Sequence, residues 1–189
     1  INKCKPKVIF EVGVWKGTTA VKMIRAAQKH NKDITYYGFD LFEGMTPDVK
    51  EKEIHAKINS TEKEARKRIY GTGCRYLLTV GNTLDTLPQI VDEVVHFNTI
   101  DIPDFVFIDG GHSLETIKSD WHSISQMMLP NETVVIFDDY YSNDTTKGCK
   151  AIIDDLDEEF TYEILPSTDK VKNDMLDSTI HMVKVTWNG

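Results

Sequence analysis

Val8 to Val12 (VIFEV) is a short apolar run broken by one acid. It leads through Gly13 and Gly17 into Thr18 to His30, where Ala20, Met23, Ile24 and Ala27 recur at helical spacing. A run of this kind, followed at once by a glycine-containing turn and an amphipathic helix, is a strand covered on both faces that opens a strand-turn-helix unit. The first amide groups of the helix point back at the turn, where a ligand can approach the backbone closely. This is the geometry of a nucleotide or nucleoside cradle. It is not the dinucleotide fingerprint GxGxxG, because Val14 and Trp15 put bulk where a second glycine is needed, and no GKS or GKT follows. Glu11 is costly in an apolar strand unless it has a partner, and a cationic or amine-bearing ligand would supply one.

The same unit recurs along the chain. Ile34 to Phe39 is β-branched and aromatic and closes on Asp40, one helical crossover after Glu11, so the two strands are predicted to be parallel neighbours with both acids at one end of the sheet. An acid at the tip of the second strand is where a ribose hydroxyl pair is commonly held; a solvated loop aspartate is the alternative. Met45 to Tyr70 is dense in Lys and Glu and reads as one or two exposed helices, either a lid or a solvated crossover. Tyr76 to Val80 is a third strand with Gly81-Asn82-Thr83 at its tip, followed by a helix through Leu84, Leu87, Ile90, Val91 and Val94. Phe105 to Ile108 runs into Asp109-Gly110-Gly111-His112, and Leu114 to Met128 has helical periodicity. Thr133 to Phe137 ends in Asp138-Asp139-Tyr140-Tyr141. Gly148 to Leu156 reads as a helix. Thr161 to Leu165 and Ser178 to Trp187 form an antiparallel closing hairpin around a polar loop, Pro166 to Asp177. The expected fold is α/β: a doubly wound, mostly parallel, Rossmann-like sheet with a C-terminal antiparallel hairpin, and one domain over residues 1–189.

In such a sheet ligands sit beyond the carboxyl ends of the strands, where Glu11, Asp40, Asp109, Asp138 and Asp139 gather. Asp109, Asp138 and Asp139 together are too much like charge without a cation, and an oxygen-preferring divalent ion such as Mg²⁺ would resolve it; alternatively one of the AspAsp pair caps the next helix while the other faces solvent. His112, in its Gly-Gly turn, can take a proton from a hydroxyl near neutral pH. A net charge of −8, with no basic run flanked by aromatics, argues against nucleic acid as a partner and for a small or neutral substrate. Three cysteines, far apart and in no CxxC pair, point to a reducing cytoplasm. No apolar run reaches the ~20 residues of a membrane span, and a homo-oligomer is compatible with the sequence.

The ordered blocks FEVGVWKGTT, GFDLFEG, GNTLDTLP, FVFIDGGHS and VIFDDYY followed by KGCKAIIDDL resemble the class I S-adenosylmethionine (SAM) dependent methyltransferases. More narrowly, they resemble the macrocin O-methyltransferase family, whose members methylate sugar hydroxyls with Mg²⁺. The likeness runs from about Val8 to Leu156. It implies that Glu11, Gly13 and Gly17 form the first SAM motif, with Glu11 and the turn handling the methionine end, that Asp40 holds the ribose hydroxyls, that Asn82 and Thr83 lie against the adenine, and that Trp15, Thr18 and Leu41 also bind the cofactor. It further implies that Asp109, Asp138 and Asp139 bind the metal, and that Asp109 and His112 are catalytic, with His112 as general base. The first strand begins within ten residues of Ile1, so an amino-terminal lid of the kind relatives carry is expected to be missing. The expected reaction is methyl transfer from SAM to a hydroxyl of a small molecule, a sugar or glycoside. The alternatives are a metal-independent SAM methyltransferase with another acceptor and a SAM-binding remnant without activity.

Overall fold

The computed structural model describes residues 1–53, 60–166, 170–173 and 176–189. Its centre is β1 (Val8–Val12), which pairs in parallel with β2 (Thr35–Asp40) on one side and with β4 (Phe105–Ile108) on the other. β3 (Arg75–Val80) extends the sheet beyond β2, and β5 (Val134–Tyr141) extends it beyond β4, both in parallel. Antiparallel strands close it. β8 (Leu176–Trp187) lies against β5, β6 (Phe160–Ile164) lies outside β8, and β7 (Lys170–Asn173) pairs with β8. The order is therefore β3-β2-β1-β4-β5-β8-β6. The winding reverses between β1 and β4, and at such a switch point the connections leave in opposite directions and open a crevice at the strand ends. The doubly wound sheet with an antiparallel end is thus as expected.

The alternation within β1 explains why both faces are covered. Phe10 and Val12 pack with Phe39, Ile108 and Phe137 under the helices α4 (Thr83–Val91), α5 (Leu114–Ser125) and α6 (Lys150–Asp154). Ile9 points the other way, with Tyr36 and Phe105, under α1 (Thr18–Gln28) and α3 (Glu62–Tyr70). The predicted helical positions Ala20, Met23, Ile24 and Ala27 are the buried residues of α1. Burial of each large aliphatic side chain contributes about 1.5–3 kcal/mol, so two such layers account for the sheet's preference for this register.

Several boundaries differ from expectation for identifiable reasons. The helix after β3 ends at Val91 and widens into a π turn over Asp92–His96. α5 stops at Ser125, so Met127 and Met128 are buried from a turn and not from the helix. The polar segment yields α2 (Pro47–Lys52), started by Thr46 and Pro47, and α3, started by Thr61; residues 54–59 of that segment lie outside the described residues. β5 does not end at Phe137 but continues through Asp138 and Asp139, and β7 falls inside the stretch expected to be loop. The extra length of β5 comes with a bulge: Phe137 faces Val183 and Tyr140 faces His181, one residue too many on the β5 side. Tyr140 is buried as a result, and Asp139 takes a positive φ of 58°. Among the described residues no helix is long and apolar enough to cross a membrane.

Candidate active site

The turn after β1 is held against the end of β4. The Gly13 amide donates to the Phe39 carbonyl (2.9 Å) and the Asp109 amide to the Val12 carbonyl (2.8 Å). Gly13 has φ +90°, and a Cβ there would collide with the Asp109 carbonyl, so only glycine allows the two turns to touch. The next turn is anchored from β2. Asp40 accepts from the Trp15 amide (2.7 Å) through one oxygen and from the Phe42 amide (2.6 Å) through the other. Burial pushes the Asp40 carboxyl above its ordinary range, and these amides pull it back.

Gly13, Trp15, Asp40, Leu41, Asn82 and Thr83 line one cleft together with Asp109 and His112. Its volume is about 820 Å³ with the space open to solvent included. Asn82 is also the N-cap of α4, its side-chain oxygen accepting from the Leu84 amide (3.1 Å), so its amide NH₂ is the end that can face a ligand. Gly17 and Thr18 do not line the cleft. Gly17 backs onto Ala65 of α3, and the Thr18 hydroxyl accepts from Arg68 Nη1 (3.4 Å). Glu11 does not line it either. It is fully buried, Tyr36 Oη donates to its Oε2, and its Oε1 has no hydrogen-bond partner among the described residues. The expected partner from a ligand is thus replaced by a tyrosine of β2. Burial holds the Glu11 carboxyl well above the usual carboxylate range, with the Tyr36 hydrogen bond acting against that rise.

At the other end of the rim, His112 Nε2 lies 2.9 Å from Asp139 Oδ2. The Tyr141 hydroxyl donates to the second Asp139 oxygen (3.2 Å). The Gly148 amide donates to the His112 carbonyl (3.1 Å) and the Cys149 amide to the Asp139 carbonyl (3.2 Å), tying the start of the segment before α6 under both residues. Asp109, His112 and Asp139 each present a ligand atom, all within 4.8 Å of one another. The expected trio differed by one member. Asp138 accepts from the Asp139 amide (2.9 Å) and lines a small adjoining cavity with Cys149, outside this group. The bulge in β5 is the reason, since it turns Asp139 and not Asp138 toward His112.

Two acids were not anticipated. Glu53, at the end of α2, reaches over the cleft and accepts from the Ser113 amide (3.1 Å), the Ser113 hydroxyl (3.1 Å) and the Thr116 hydroxyl (2.6 Å). It places a negative charge at the N-terminus of α5, where the helix dipole favours one. With Met45 and Val49 it roofs the cleft. Asp120 of α5 is fully buried, and burial raises its carboxyl to about 7. Nothing in the polar segment singles out Glu53, but Asp120 sits between Ile117 and Ile124 on the buried face of α5, which its spacing could have shown.

A profile described as "Methyltransferase domain" matches residues 10–140 of this chain. The chain belongs to the methyltransferase domain family. No curated protein sequence matches it. Among solved structures, the O-methyltransferase TomG from Streptomyces achromogenes, involved in tomaymycin synthesis and solved in complex with SAM, superposes with a TM-score of 0.67 at 15% identity. That match covers 100% of this chain and 76% of TomG. The methyltransferase PaMTH1 from Podospora anserina, bound to S-adenosylhomocysteine (SAH), gives 0.59 at 14% identity, covering 100% of this chain and 74% of PaMTH1. An O-methyltransferase family protein from Burkholderia thailandensis gives 0.54 at 9% identity over 97% of this chain and 51% of that one. At these identities the superpositions speak for the fold: this methyltransferase has the Rossmann-like sheet with antiparallel C-terminal strands seen in those enzymes.

Proposed function

We propose that this methyltransferase moves a methyl group from SAM to a hydroxyl of a small molecule, a sugar or glycoside, as the narrower likeness to the macrocin O-methyltransferases implies. The observation that carries the reading is that Gly13, Asp40, Asn82 and Asp109, which follow or end four different strands, line one cleft at the switch point of the sheet. Asp40 would hold the ribose hydroxyls, Asn82 and Thr83 the base, and the turn from Gly13 to Trp15 the methionine end. The fold likeness to TomG and PaMTH1, which hold SAM and SAH, supports the cofactor.

The chemistry then belongs to the far end of the rim. His112, held by Asp139 through Nε2, is the group that would accept the acceptor's hydroxyl proton. As the oxygen attacks, the O–CH₃ bond forms, the S–CH₃ bond of the sulfonium breaks, and SAH leaves neutral at sulfur. Asp139 stabilises the imidazolium that results, and Tyr141 keeps the carboxylate oriented. Two carboxylates and an imidazole within 4.8 Å also fit a divalent cation. Asp109 and Asp139 are the oxygen donors that would hold Mg²⁺, which when bound would lower the pKa of the acceptor hydroxyl.

Calorimetric titration with SAM and SAH, in EDTA and again in Mg²⁺, tests the cofactor apart from the metal. Binding in both buffers is expected, followed by methyl transfer to members of a panel of hydroxylated glycosides that rises with Mg²⁺. No binding in either buffer would overturn the assignment of Asp40 and Asn82. Binding without transfer to any acceptor would favour a cofactor-holding remnant.

A further inference from the structure

We infer that the free edge of the sheet at β3 is the interface of a two-fold dimer, in which α3 of each copy lies against α4 and the π turn of the other. This concerns the outer edge of the sheet and does not rest on the SAM reading.

Exposed apolar side chains gather at this edge. Of the nine large hydrophobic residues left exposed among the described residues, five, Tyr70, Leu77, Val80, Val95 and Phe97, lie on β3 or at the ends of the helices that flank it. Tyr70 is 75% exposed and Phe97 65%. Single exposed hydrophobics need no explanation, but a group of them marks an interaction surface. The two faces of β3 are also unequally covered. α3 packs with Tyr76 and Leu78 on one face. On the other, α4 sits over β2, and Leu77, beside the buried Tyr37, is left 46% exposed. That leaves a bare shelf next to α4.

The two helices differ in charge. In α3, Glu62 and Glu64 pair with Arg66 and Arg68 one turn on, which leaves Lys63 and Lys67 exposed and in no ion pair among the described residues. From Thr83 to Asp104 the chain has five acids and neither lysine nor arginine. Two of these, Asp85 in α4 and Asp92 in the π turn, are exposed and two turns apart. A polyanion would be repelled by this acidic half of the surface. A second copy of the chain meets both halves.

The charges also select the symmetry. A two-fold axis normal to the sheet would bring α3 against α3 and set lysine against lysine. An axis parallel to the strands exchanges the two faces, so that α3 of one copy enters the shelf beside α4 of the other. Both helices run from the carboxyl ends of the strands back to the amino ends, and they lie parallel across that axis. Tyr70 then comes level with Val95 and Phe97, and the lysines level with the acids of the turns above. The contact is isologous, so it is made twice and closes as a dimer. A net charge of −8 opposes self-association in general, so a self-contact has to be locally complementary, as this one is.

Sedimentation velocity of the wild-type chain is expected to show a species of twice the 21.6 kDa chain mass, with a micromolar or tighter dissociation constant. Lys63→Glu/Lys67→Glu should raise that constant at least about tenfold, and Asp85→Lys/Asp92→Lys should do the same, because each sets like charges together. Combining all four substitutions should restore the dimer, which separates charge pairing from damage to the fold. Ile164→Glu, at the opposite edge of the sheet, should leave the dimer intact. A monomeric wild type would overturn the proposal. So would a charge-reversed pair that stays dimeric, a combined variant that stays apart, or a dimer broken by Ile164→Glu.

Discussion

His112 Nε2 and Asp139 Oδ2 are 2.9 Å apart, although the two residues come from different strand ends and one of them sits in a bulge at a positive φ. The contact requires the β5 strand to gain a residue against β8, because without the bulge Asp139 would face away from the β4 turn. Asp139→Asn tolerates the same φ, since asparagine enters the left-handed region readily, but it loses the charge that stabilises the imidazolium. We expect kcat to fall by about 10²–10⁴, the usual contribution of a positioned base, with the calorimetric Kd for SAM changed less than about threefold. An unchanged kcat would remove His112 and Asp139 from the chemistry.

Gly13→Ala places a methyl group against the Asp109 carbonyl at φ +90°. The strain alone costs about 1–3 kcal/mol, and the clash pushes the β1 and β4 turns apart. Urea unfolding is expected to show a loss larger than that range, accompanied by loss of SAM binding. A variant as stable as the wild type would mean that the two turns are not held in contact.

Stability should fall as pH rises from about 4 to about 7. Asp120 titrates near 3.8 when exposed and at about 7 in the fold, so the folded state holds a proton that the unfolded chain has released. The unfolded state binds fewer protons throughout that window, and the loss levels off above it, at about 4 kcal/mol in total. Glu11, also raised by burial, acts in the same direction. Denaturant midpoints across pH should show this slope in the wild type and a shallower one in Asp120→Asn, which should be the more stable protein at pH 8. Equal slopes would place the titration elsewhere.

Glu53→Ala removes the acceptor of three hydrogen bonds at the start of α5. A loss of about 1–3 kcal/mol is expected in urea unfolding, in line with hydrogen bonds to a charged group. Weaker SAM binding should follow, because the α2 roof loses its anchor. Wild-type affinity and stability together would show that the roof is held by Met45 and Val49 alone.

Much of the architecture was legible from local patterns. The apolar runs at Val8, Ile34, Phe105 and Thr133, separated by stretches of helical spacing, dictated parallel strands with crossovers, and the acids closing those runs marked the rim where the cleft lies. Asp40, Asn82, Asp109 and His112 are found where that logic puts them. The bounds of α4 and α5 were less legible, since Val94, Met127 and Met128 are buried from turns and continue the apolar spacing past the helix ends.

Periodicity and residue type determine which elements form and which face each one buries, because both follow from the backbone's repeat and from the cost of leaving apolar surface in water. They do not determine which of two adjacent acids turns inward. Asp138 and Asp139 are indistinguishable as letters, and only the register between β5 and β8 selects Asp139 for His112. In the same way Glu11 becomes the partner of Tyr36, and Asp120 comes to stand behind Gly110, through contacts between segments remote in sequence. Such pairings depend on how packed layers meet, and no local pattern in the chain carries that information.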